Sequence, residues 1–392
     1  MLDTVNKELQ GIIEKIDKGM KIHTAKPGAN KLPGVSHTAK YSDRYSFDGD
    51  WTCSFWTGMV ILAGVVNGKT YETEKKYVDY LDSLYDFYTD RIRKGWKDHD
   101  IGFLYTLYSV NAYRLTGDSK YMDLSIEAAN ALMCRYNDKG GFIRAWNLLI
   151  RPERREKLII DCLMNLPLLF CMARTTGNKY MKEAAIRHAE ATMNNIRPDG
   201  STCHTFDFDY ITGKPLKGEN EGGYTDDSCW SRGQSWGVYG FTLAYMHTMD
   251  KKFLDAAIKV SDFFIAQLDD SGVPKWDFRL GDNPLSPEKV DTSAGAIAAS
   301  GLYDLALCVE ETDKAKAETY RAAADKILLG LIKNHSHVFD NDSEALLDSA
   351  YCGGTDENGG RIVHQWAAIF GDYYYMEALV KRSGLNVNMW DL

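Results

Sequence analysis

The chain contains 392 residues, carries a net charge of −9 and is 44 % hydrophobic, so it is long enough to bury a large core. An acidic balance without a basic run or a Gly-rich phosphate loop argues against nucleic-acid binding. No stretch of about 18 consecutive apolar residues occurs, so the sequence predicts no membrane span.

Two kinds of helix alternate along the chain. One kind has apolar residues at steps of three and four, which form a single buried stripe, and often begins after an Asp or Asn that can cap it. The other kind is rich in Gly, Ala, Ser and aromatic residues and has little charge, which is typical of helices enclosed by protein. The first kind is predicted at 3–18, 71–90, 118–136, 178–195, 251–268 and 314–334. The second kind is predicted at 55–66, 102–115, 161–175, 230–248, 291–309 and 364–380.

This alternation predicts an all-α fold, an (α/α)6 barrel with six inner and six outer helices. We expect a single catalytic domain spanning 1–392, with the N-terminal helix 3–18 packed outside the last inner helix to close the outer ring. An open, right-handed solenoid has the same periodicity and is the alternative.

The eight cysteines are scattered and form no C-x-x-C, so they are expected to be free, mostly buried thiols of a reducing compartment. The histidines show no metal-binding spacing, and we predict neither a metal site nor a cofactor. The first residues contain no basic region followed by an apolar core, which predicts a cytoplasmic protein, or a periplasmic one if a signal peptide had been removed.

Asp100 and Asp161 each stand at the start of an inner helix, one repeat apart. In a ring of helix pairs, equivalent helix ends surround one mouth, so the two carboxylates can face each other across a pocket. That arrangement suits acid/base chemistry on a sugar. The apolar residues 158–160 before Asp161 predict that burial raises its pKa. Alternatively, each Asp is simply a residue that stabilises a helix start.

Long connections at 196–229 and 269–290 are rich in aromatic residues and are expected to mark the functional mouth. Arg232 and Trp236 are four residues apart and share a helix face. The planar fork of Arg can bind a carboxylate while an indole stacks on a sugar ring. An ion pair of Arg232 with Asp226 or Asp227 is the alternative.

Several strings in the chain, read together and in order, resemble the unsaturated glucuronyl hydrolases of glycoside hydrolase family 88. The resemblance extends over nearly the whole chain. The strings are HDIGF at 99–103, IDCLMNLPLL at 160–169, WSRGQSWG at 230–237, FWTG at 55–58 and GDYYYMEAL at 371–379.

The resemblance implies an (α/α)6 barrel without a metal, acting on short oligosaccharides that polysaccharide lyases leave with an unsaturated uronate at one end. Asp161 would protonate C4 of the double bond and activate the water that adds at C5, and Asp100 would be its partner carboxylate. The partners implied are unsaturated di- or oligosaccharides, and we expect a monomer or weak homodimer. Substrate-binding positions would be His99, Trp56, His204, Arg232, Gln234 and Trp236, although His99 could also be an ordinary hydrogen-bonded loop histidine.

The sequence departs from the family pattern at Glu221, where a polar Gln or His is expected, and at 364–369. We find no convincing sulfate-binding cluster in 345–364. Three rival functions are compatible with parts of the sequence: an unsaturated rhamnogalacturonyl hydrolase, a non-catalytic carbohydrate-binding toroid, and an epimerase or inverting glycosidase on the same barrel. The Arg-Gly-Gln-Ser-Trp string at 232–236 favours the glucuronyl type over the first of these.

Overall fold

Paired helices form two concentric rings in the computed structural model, which describes residues 1–46, 50–68, 74–94, 98–146, 156–280, 289–355 and 361–392. The inner segments are α2 (Cys53–Gly68), α5 (Ile101–Tyr105) continued by a π-helical turn (Thr106–Val110) and α6 (Asn111–Thr116), a 3₁₀ turn (Ile160–Asn165) continued by α8 (Leu166–Thr176), α10 (Ser231–Thr248), α12 (Thr292–Val309) and α14 (Ile369–Arg382). The outer helices are α1 (Leu2–Gly19), α3 (Lys75–Ser83) with α4 (Tyr85–Lys94), α7 (Ser119–Met133), α9 (Lys179–Thr192), α11 (Lys251–Ala266) and α13 (Lys314–Asn334).

The ring is closed. The last inner helix, α14, packs against the first, α2, and the N-terminal helix α1 packs against both. The (α/α)6 barrel is therefore confirmed, and the open solenoid is wrong. Closure brings the N-terminal ends of the inner segments to one mouth.

The inner helices are buried on nearly every side. In α2 every residue from Cys53 to Val65 is buried. Among the described helices, Thr292–Val309 is long and apolar enough to cross a membrane, but 89 % of that window is buried inside the protein. It is thus enclosed by its neighbours, as its composition indicates.

Four of the outer helices begin with the same kind of N-terminal cap. Asp118, Asn178, Asp250 and Asp313 precede α7, α9, α11 and α13, and each side chain accepts a hydrogen bond from a backbone N–H of the first turn. These bonds satisfy donors that a helix start otherwise leaves unpaired. The predicted caps are confirmed at these four positions.

Short antiparallel strands lie on the mouth side of the ring. The sequence pattern, which predicted only helices, did not indicate them. They form four small sheets, in the orders β1-β2, β3-β10-β9, β4-β5 and β6-β7-β8. The strands are β1 (Ala25–Lys26), β2 (Ala29–Asn30), β3 (Val35–Ser36), β4 (Tyr136–Asn137), β5 (Phe142–Ile143), β6 (Lys157–Ile159), β7 (Thr205–Phe208), β8 (Pro215–Glu219), β9 (Ala350–Thr355) and β10 (Arg361–Ala368).

Two helix boundaries differ from the predictions. The last inner helix begins at Ile369 and not at 364, because 364–368 belong to β10, which pairs with β9 and β3. The segment predicted as a helix from 161 begins as a 3₁₀ turn, and Pro167 then lies in the first turn of α8, where a missing N–H costs no helical hydrogen bond. Part of the predicted helix 71–90, at 71–73, lies outside the described residues.

Candidate active site

A strand pairing brings His204 beside Asp161. Strands β6 and β7 are antiparallel with Ile159 opposite Thr205, and the Ile160 N–H donates to the His204 carbonyl oxygen at 2.9 Å. One residue further along, Asp161 Oδ1 lies 3.6 Å from His204 Nε2. Two segments more than 40 residues apart in the chain are thereby joined at the mouth of the ring.

The hydrogen bonds of His204 define where its proton lies. Its Nδ1 accepts the Gly222 N–H at 2.9 Å, so in the neutral ring the proton is on Nε2, which faces Asp161. Among the described residues, neither Asp161 Oδ1 nor His204 Nε2 has a hydrogen-bond partner. The Asp161 side chain is 18 % exposed. A carboxylate oxygen and an N–H donor are thus both buried without a partner in the described part of the chain, beside a carboxyl group whose side chain is partly exposed.

His99 and Asp100 form the second half of the site. His99 Nδ1 lies 2.7 Å from the Ala145 carbonyl oxygen, to which it must donate, and His99 Nε2 lies 3.3 Å from Asp100 Oδ1. A neutral His99 therefore presents a lone pair to the carboxyl group. Since two acceptors repel, we infer that a proton is shared between His99 and Asp100.

Burial raises the pKa of Asp100 to about 7. A protonated His99 opposes this change, whereas the negative charges of Asp98 and Asp161 add to it. The carboxyl of Asp100 consequently exchanges a proton near neutral pH, and its state depends on that of Asp161.

Asn165 connects the two carboxylate-bearing segments. Its Nδ2 lies 3.4 Å from Asp100 Oδ1, and its Oδ1 accepts the Phe103 N–H at 2.6 Å. The backbones approach so closely here that a Cβ on Gly102 would lie 2.3 Å from the Asn165 Cα. Gly102 is therefore needed for the contact that places Asp100 and Asp161 at the same mouth.

The indole at the mouth belongs to Trp51, not to Trp56. The ring of Trp51 stacks on Phe370 with centroids 5.0 Å apart, and it is half-buried. Trp56 instead donates its Nε1–H to the Tyr80 hydroxyl at 2.7 Å and packs against His23. Residue 56 lies on the face of α2 that points to the outer helices, so these contacts do not support the substrate-binding role of Trp56, which stays a prediction.

Arg232 lies at the mouth but is already paired. Its Nη1 donates to the Asp291 carboxylate at 2.9 Å, to the Ser293 hydroxyl at 3.1 Å and to the Tyr351 carbonyl oxygen at 2.8 Å. Its guanidinium group also lies 5.0 Å from the centroid of the Phe370 ring. An ion pair was the alternative interpretation, but its partner is Asp291 and neither of the two acidic residues considered from the sequence.

Gln234 and Trp236 are both below the mouth. The Gln234 side chain donates to the carbonyl oxygens of Gly200 and Val260 at 2.9 and 2.8 Å and is fully buried. These bonds give its amide a structural role, and its substrate-binding role stays a prediction. Trp236 is 1 % exposed. Its ring lies 5.6 Å from that of Phe103, which places it in the floor of the site.

Two residues of the site escaped the sequence-based prediction. Trp51 precedes α2, so its position at the mouth follows once the start of that helix is known. Asn165 stands one 3₁₀ turn after Asp161, and a polar residue there, between Met164 and Leu166, is an unusual choice for a buried inner segment. That contrast is the signal that could have identified it.

A closed (α/α)6 ring with two carboxyl groups at its mouth is the arrangement expected of a glycoside hydrolase of the helical-toroid class. Residues 26–386 match the family Glycosyl Hydrolase Family 88. The chain belongs to that family.

Similar proteins agree with this assignment. The chain is 38 % identical over 336 residues to an unsaturated chondroitin disaccharide hydrolase of Streptococcus pneumoniae, with 85 % of this chain and 81 % of that protein covered. It is 31 % identical over 368 residues to an unsaturated glucuronyl hydrolase of Bacillus sp. strain GL1, covering 93 % and 94 %. A crystal structure of an unsaturated glucuronyl hydrolase from Bacillus sp. GL1, described as responsible for the degradation of glycosaminoglycan, has a TM-score of 0.87 at 30 % identity and covers 100 % of this chain and 99 % of that one.

Proposed function

We propose that this glycoside hydrolase removes the unsaturated uronate from the non-reducing end of lyase-generated di- or oligosaccharides by hydrating the C4=C5 double bond. The similar proteins that carry the name unsaturated glucuronyl or chondroitin disaccharide hydrolase support this substrate class. The observation that carries the proposal is the pairing at the mouth of an accessible carboxylate, Asp161, with a second carboxyl that titrates near neutrality, Asp100.

Asp161 performs both proton transfers in this scheme. Its carboxyl gives a proton to C4, the π electrons form the new C–H bond, and the ring oxygen stabilises the positive charge left on C5. Water then adds to C5 and returns a proton to Asp161. The C5 hemiketal opens to a ketone, and the hemiacetal formed at C1 releases the leaving sugar with its own oxygen.

The surrounding groups orient the sugar and set the charge of the site. His204 Nε2–H faces the same point as Asp161 and can donate to a ring substituent. The proton shared by His99 and Asp100 lets the second carboxyl hydrogen-bond a sugar hydroxyl without placing a full negative charge beside Asp161. Trp51 offers the exposed part of its indole for stacking against the sugar.

Loss of the ultraviolet absorbance of the conjugated double bond tests the function directly. Unsaturated disaccharides prepared with lyases from hyaluronan, chondroitin, heparin and gellan are compared with an unsaturated pectin fragment. Turnover of at least one uronate substrate, with no turnover of the pectin fragment, is expected. Turnover of the pectin fragment alone would favour the rhamnogalacturonyl alternative, and binding without turnover would favour a non-catalytic toroid.

Heavy water tests the chemistry. Protonation at C4 should place solvent deuterium there in the earliest keto product, before the ketone exchanges. An early product without deuterium at C4 would indicate direct hydrolysis at the anomeric carbon instead of hydration of the double bond.

A further inference from the structure

Four aromatic rings close the barrel axis one helical turn below the mouth. They come from four inner helices and lie in ring contact around the axis. The successive centroid distances are 5.4 Å for Phe55 to Phe103, 5.6 Å for Phe103 to Trp236, 5.5 Å for Trp236 to Tyr374 and 5.8 Å for Tyr374 back to Phe55. All four side chains are at most 1 % exposed. This aromatic floor separates the site from the lower half of the barrel.

The floor carries two polar atoms that the protein does not satisfy. Within the described residues, the Trp236 Nε1 and the Tyr374 hydroxyl have no hydrogen-bond partner. Buried Trp and Tyr normally find one. The neighbouring phenols behave in that way, since Tyr373 donates to Glu377 at 2.8 Å and Tyr239 donates to the same carboxylate at 3.1 Å.

The Tyr374 hydroxyl lies within the electrostatic reach of Asp161. Burial raises the pKa of Tyr374 well above its ordinary value, and the negative charges of Glu377 and Asp161 act in the same direction. The phenol therefore keeps its proton and can both donate and accept a hydrogen bond. Asp161 Oδ1, whose charge acts on this phenol, also lacks a partner among the described residues and is an acceptor.

These groups match the needs of an attacking water. An indole N–H only donates, a carboxylate only accepts, and a phenol does both. A water that accepts from Trp236 and donates to Asp161 and Tyr374 keeps one lone pair for C5. Because one carboxylate both gives the proton to C4 and takes it from the water, both additions occur on the same face of the sugar, which is the face turned to Asp161.

We propose that the Tyr374 hydroxyl and the Trp236 indole N–H hold the water that adds to C5 of the double bond. The inference rests on the proposed hydration. In that step the water oxygen forms the bond to C5, the charge left by protonation of C4 is neutralised, and the released proton passes to Asp161. Tyr374 and Trp236 exchange no proton in net terms, so they are positioning residues for the water.

Tyr374→Phe removes only the hydroxyl oxygen from the floor. We expect kcat to fall by about tenfold or more, with KM changed by less than about twofold, because a mispositioned nucleophile slows the chemical step without weakening substrate binding. The melting temperature should not fall, since no hydrogen bond within the described protein is lost. Trp236→Phe is the second variant and should also lower kcat.

Tyr373→Phe is the matched control. It removes a phenol that is equally buried and adjacent in the chain, but whose hydroxyl serves Glu377 in the lower half of the barrel. This variant should lose thermal stability and keep kcat.

Competition between water and methanol supplies a readout that a purely structural role would not change. Loss of the positioned water should raise the fraction of methyl ketal formed in Tyr374→Phe relative to wild type and to Tyr373→Phe. Unchanged kcat and unchanged product partition would overturn the inference, as would an effect on KM alone. Wild-type protein without turnover would instead refute the proposed function.

Discussion

Buried carboxylates at the two ends of the barrel differ in the hydrogen bonds that they accept. In the lower half, Glu377 Oε1 accepts from the Tyr373 hydroxyl and the Trp390 Nε1, both at 2.8 Å, and Oε2 accepts from the Tyr239 hydroxyl at 3.1 Å. At the mouth, Asp161 Oδ1 has no such partner in the described part of the chain. The Glu377 carboxylate is therefore satisfied by the scaffold, whereas one oxygen of Asp161 receives no hydrogen bond from its described residues.

The C-terminal segment makes the lower end a closed one. Trp390 is fully buried and its ring is nearly parallel to that of Tyr374 at 6.1 Å. The Asn111 side chain donates to the Met389 carbonyl oxygen at 2.8 Å, and His247 Nε2 lies 3.0 Å from that of Trp390. The barrel is thus sealed below the aromatic floor, and access is from the mouth.

A raised pKa by itself does not distinguish the two situations. Burial raises the pKa of both Asp100 and Asp372 to about 7. The oxygens of Asp372, however, accept from the backbone N–H groups of Leu346 and Leu347 and from the Tyr41 hydroxyl, so this carboxyl holds α14, the segment before β9 and the 3₁₀ turn at Tyr41–Asp43 together. Both oxygens of Asp372 are thus bonded by the scaffold, whereas the described neighbours of the Asp100 carboxyl, Asn165 Nδ2 and His99 Nε2, both lie at its Oδ1.

Asp161→Asn, at the mouth of the barrel, should produce the largest loss of turnover. The amide has nearly the same shape but cannot give and recover a proton, so turnover should fall by at least about 10²–10⁴-fold with an unchanged melting temperature. Steady-state kinetics on an unsaturated disaccharide, with thermal unfolding as the folding control, measure this. Retention of a tenth of the wild-type rate would refute the role of Asp161.

Asp100→Asn should remove most activity and the transition near pH 7 from the pH–rate profile, because burial raises the pKa of the Asp100 carboxyl to about 7. An unchanged profile would mean that Asp100 only stabilises the helix start.

The same variant has a stability signature. The pKa of Asp100 is raised from 3.8 to about 7 in the folded state, so its favourable contribution to folding is complete below about pH 4 and is lost as the pH rises through 7. The free energy of unfolding should therefore fall less between these pH values in Asp100→Asn, by up to about 4 kcal/mol. Denaturant unfolding at several pH values measures it. Asp372→Asn is the control that should flatten the same profile while leaving the pH dependence of kcat in place.

Arg232→Ala tests a residue that belongs to both functions, substrate binding and scaffold. Removal of the guanidinium leaves the fully buried Asp291 without its cationic partner, which should cost about 3–5 kcal/mol of stability. KM should also rise if the group binds the uronate. Arg232→Lys keeps the charge without the planar fork, so it should recover part of the stability and little of the affinity. An unchanged KM with a lowered melting temperature would assign Arg232 to the scaffold alone.

Trp56→Phe should have the smallest effect. It loses the hydrogen bond to Tyr80, worth about 1 kcal/mol, and should leave KM unchanged. Trp51→Phe, its counterpart at the mouth, should raise KM without a comparable loss of stability. The reverse pattern would restore the role that the sequence suggested for Trp56.

Local patterns predicted the inner and outer helices well. The apolar spacing and the repeated caps, such as Asp118 and Asp250, are properties of short segments, so they can be read without knowing what each segment contacts. The start of α14 was misplaced because residues 364–368 become a strand only by pairing with β9 and β3, which lie elsewhere in the chain.

The sequence by itself determined the alternation of inner and outer helices, the resemblance to a family, and the two acidic residues at the starts of inner helices, because these depend on periodicity and on strings of neighbouring residues. Closure of the ring depends on the contacts of α14 and α1 with α2, which lie far apart in the chain. Only the tertiary structure decided which polar atoms remain available. The Gln234 side chain donates its hydrogen bonds to the carbonyl oxygens of Gly200 and Val260. Arg232 is paired with Asp291, 59 residues away. A hydrogen-bonding group is free or satisfied according to distant partners, and no local pattern of residues records them.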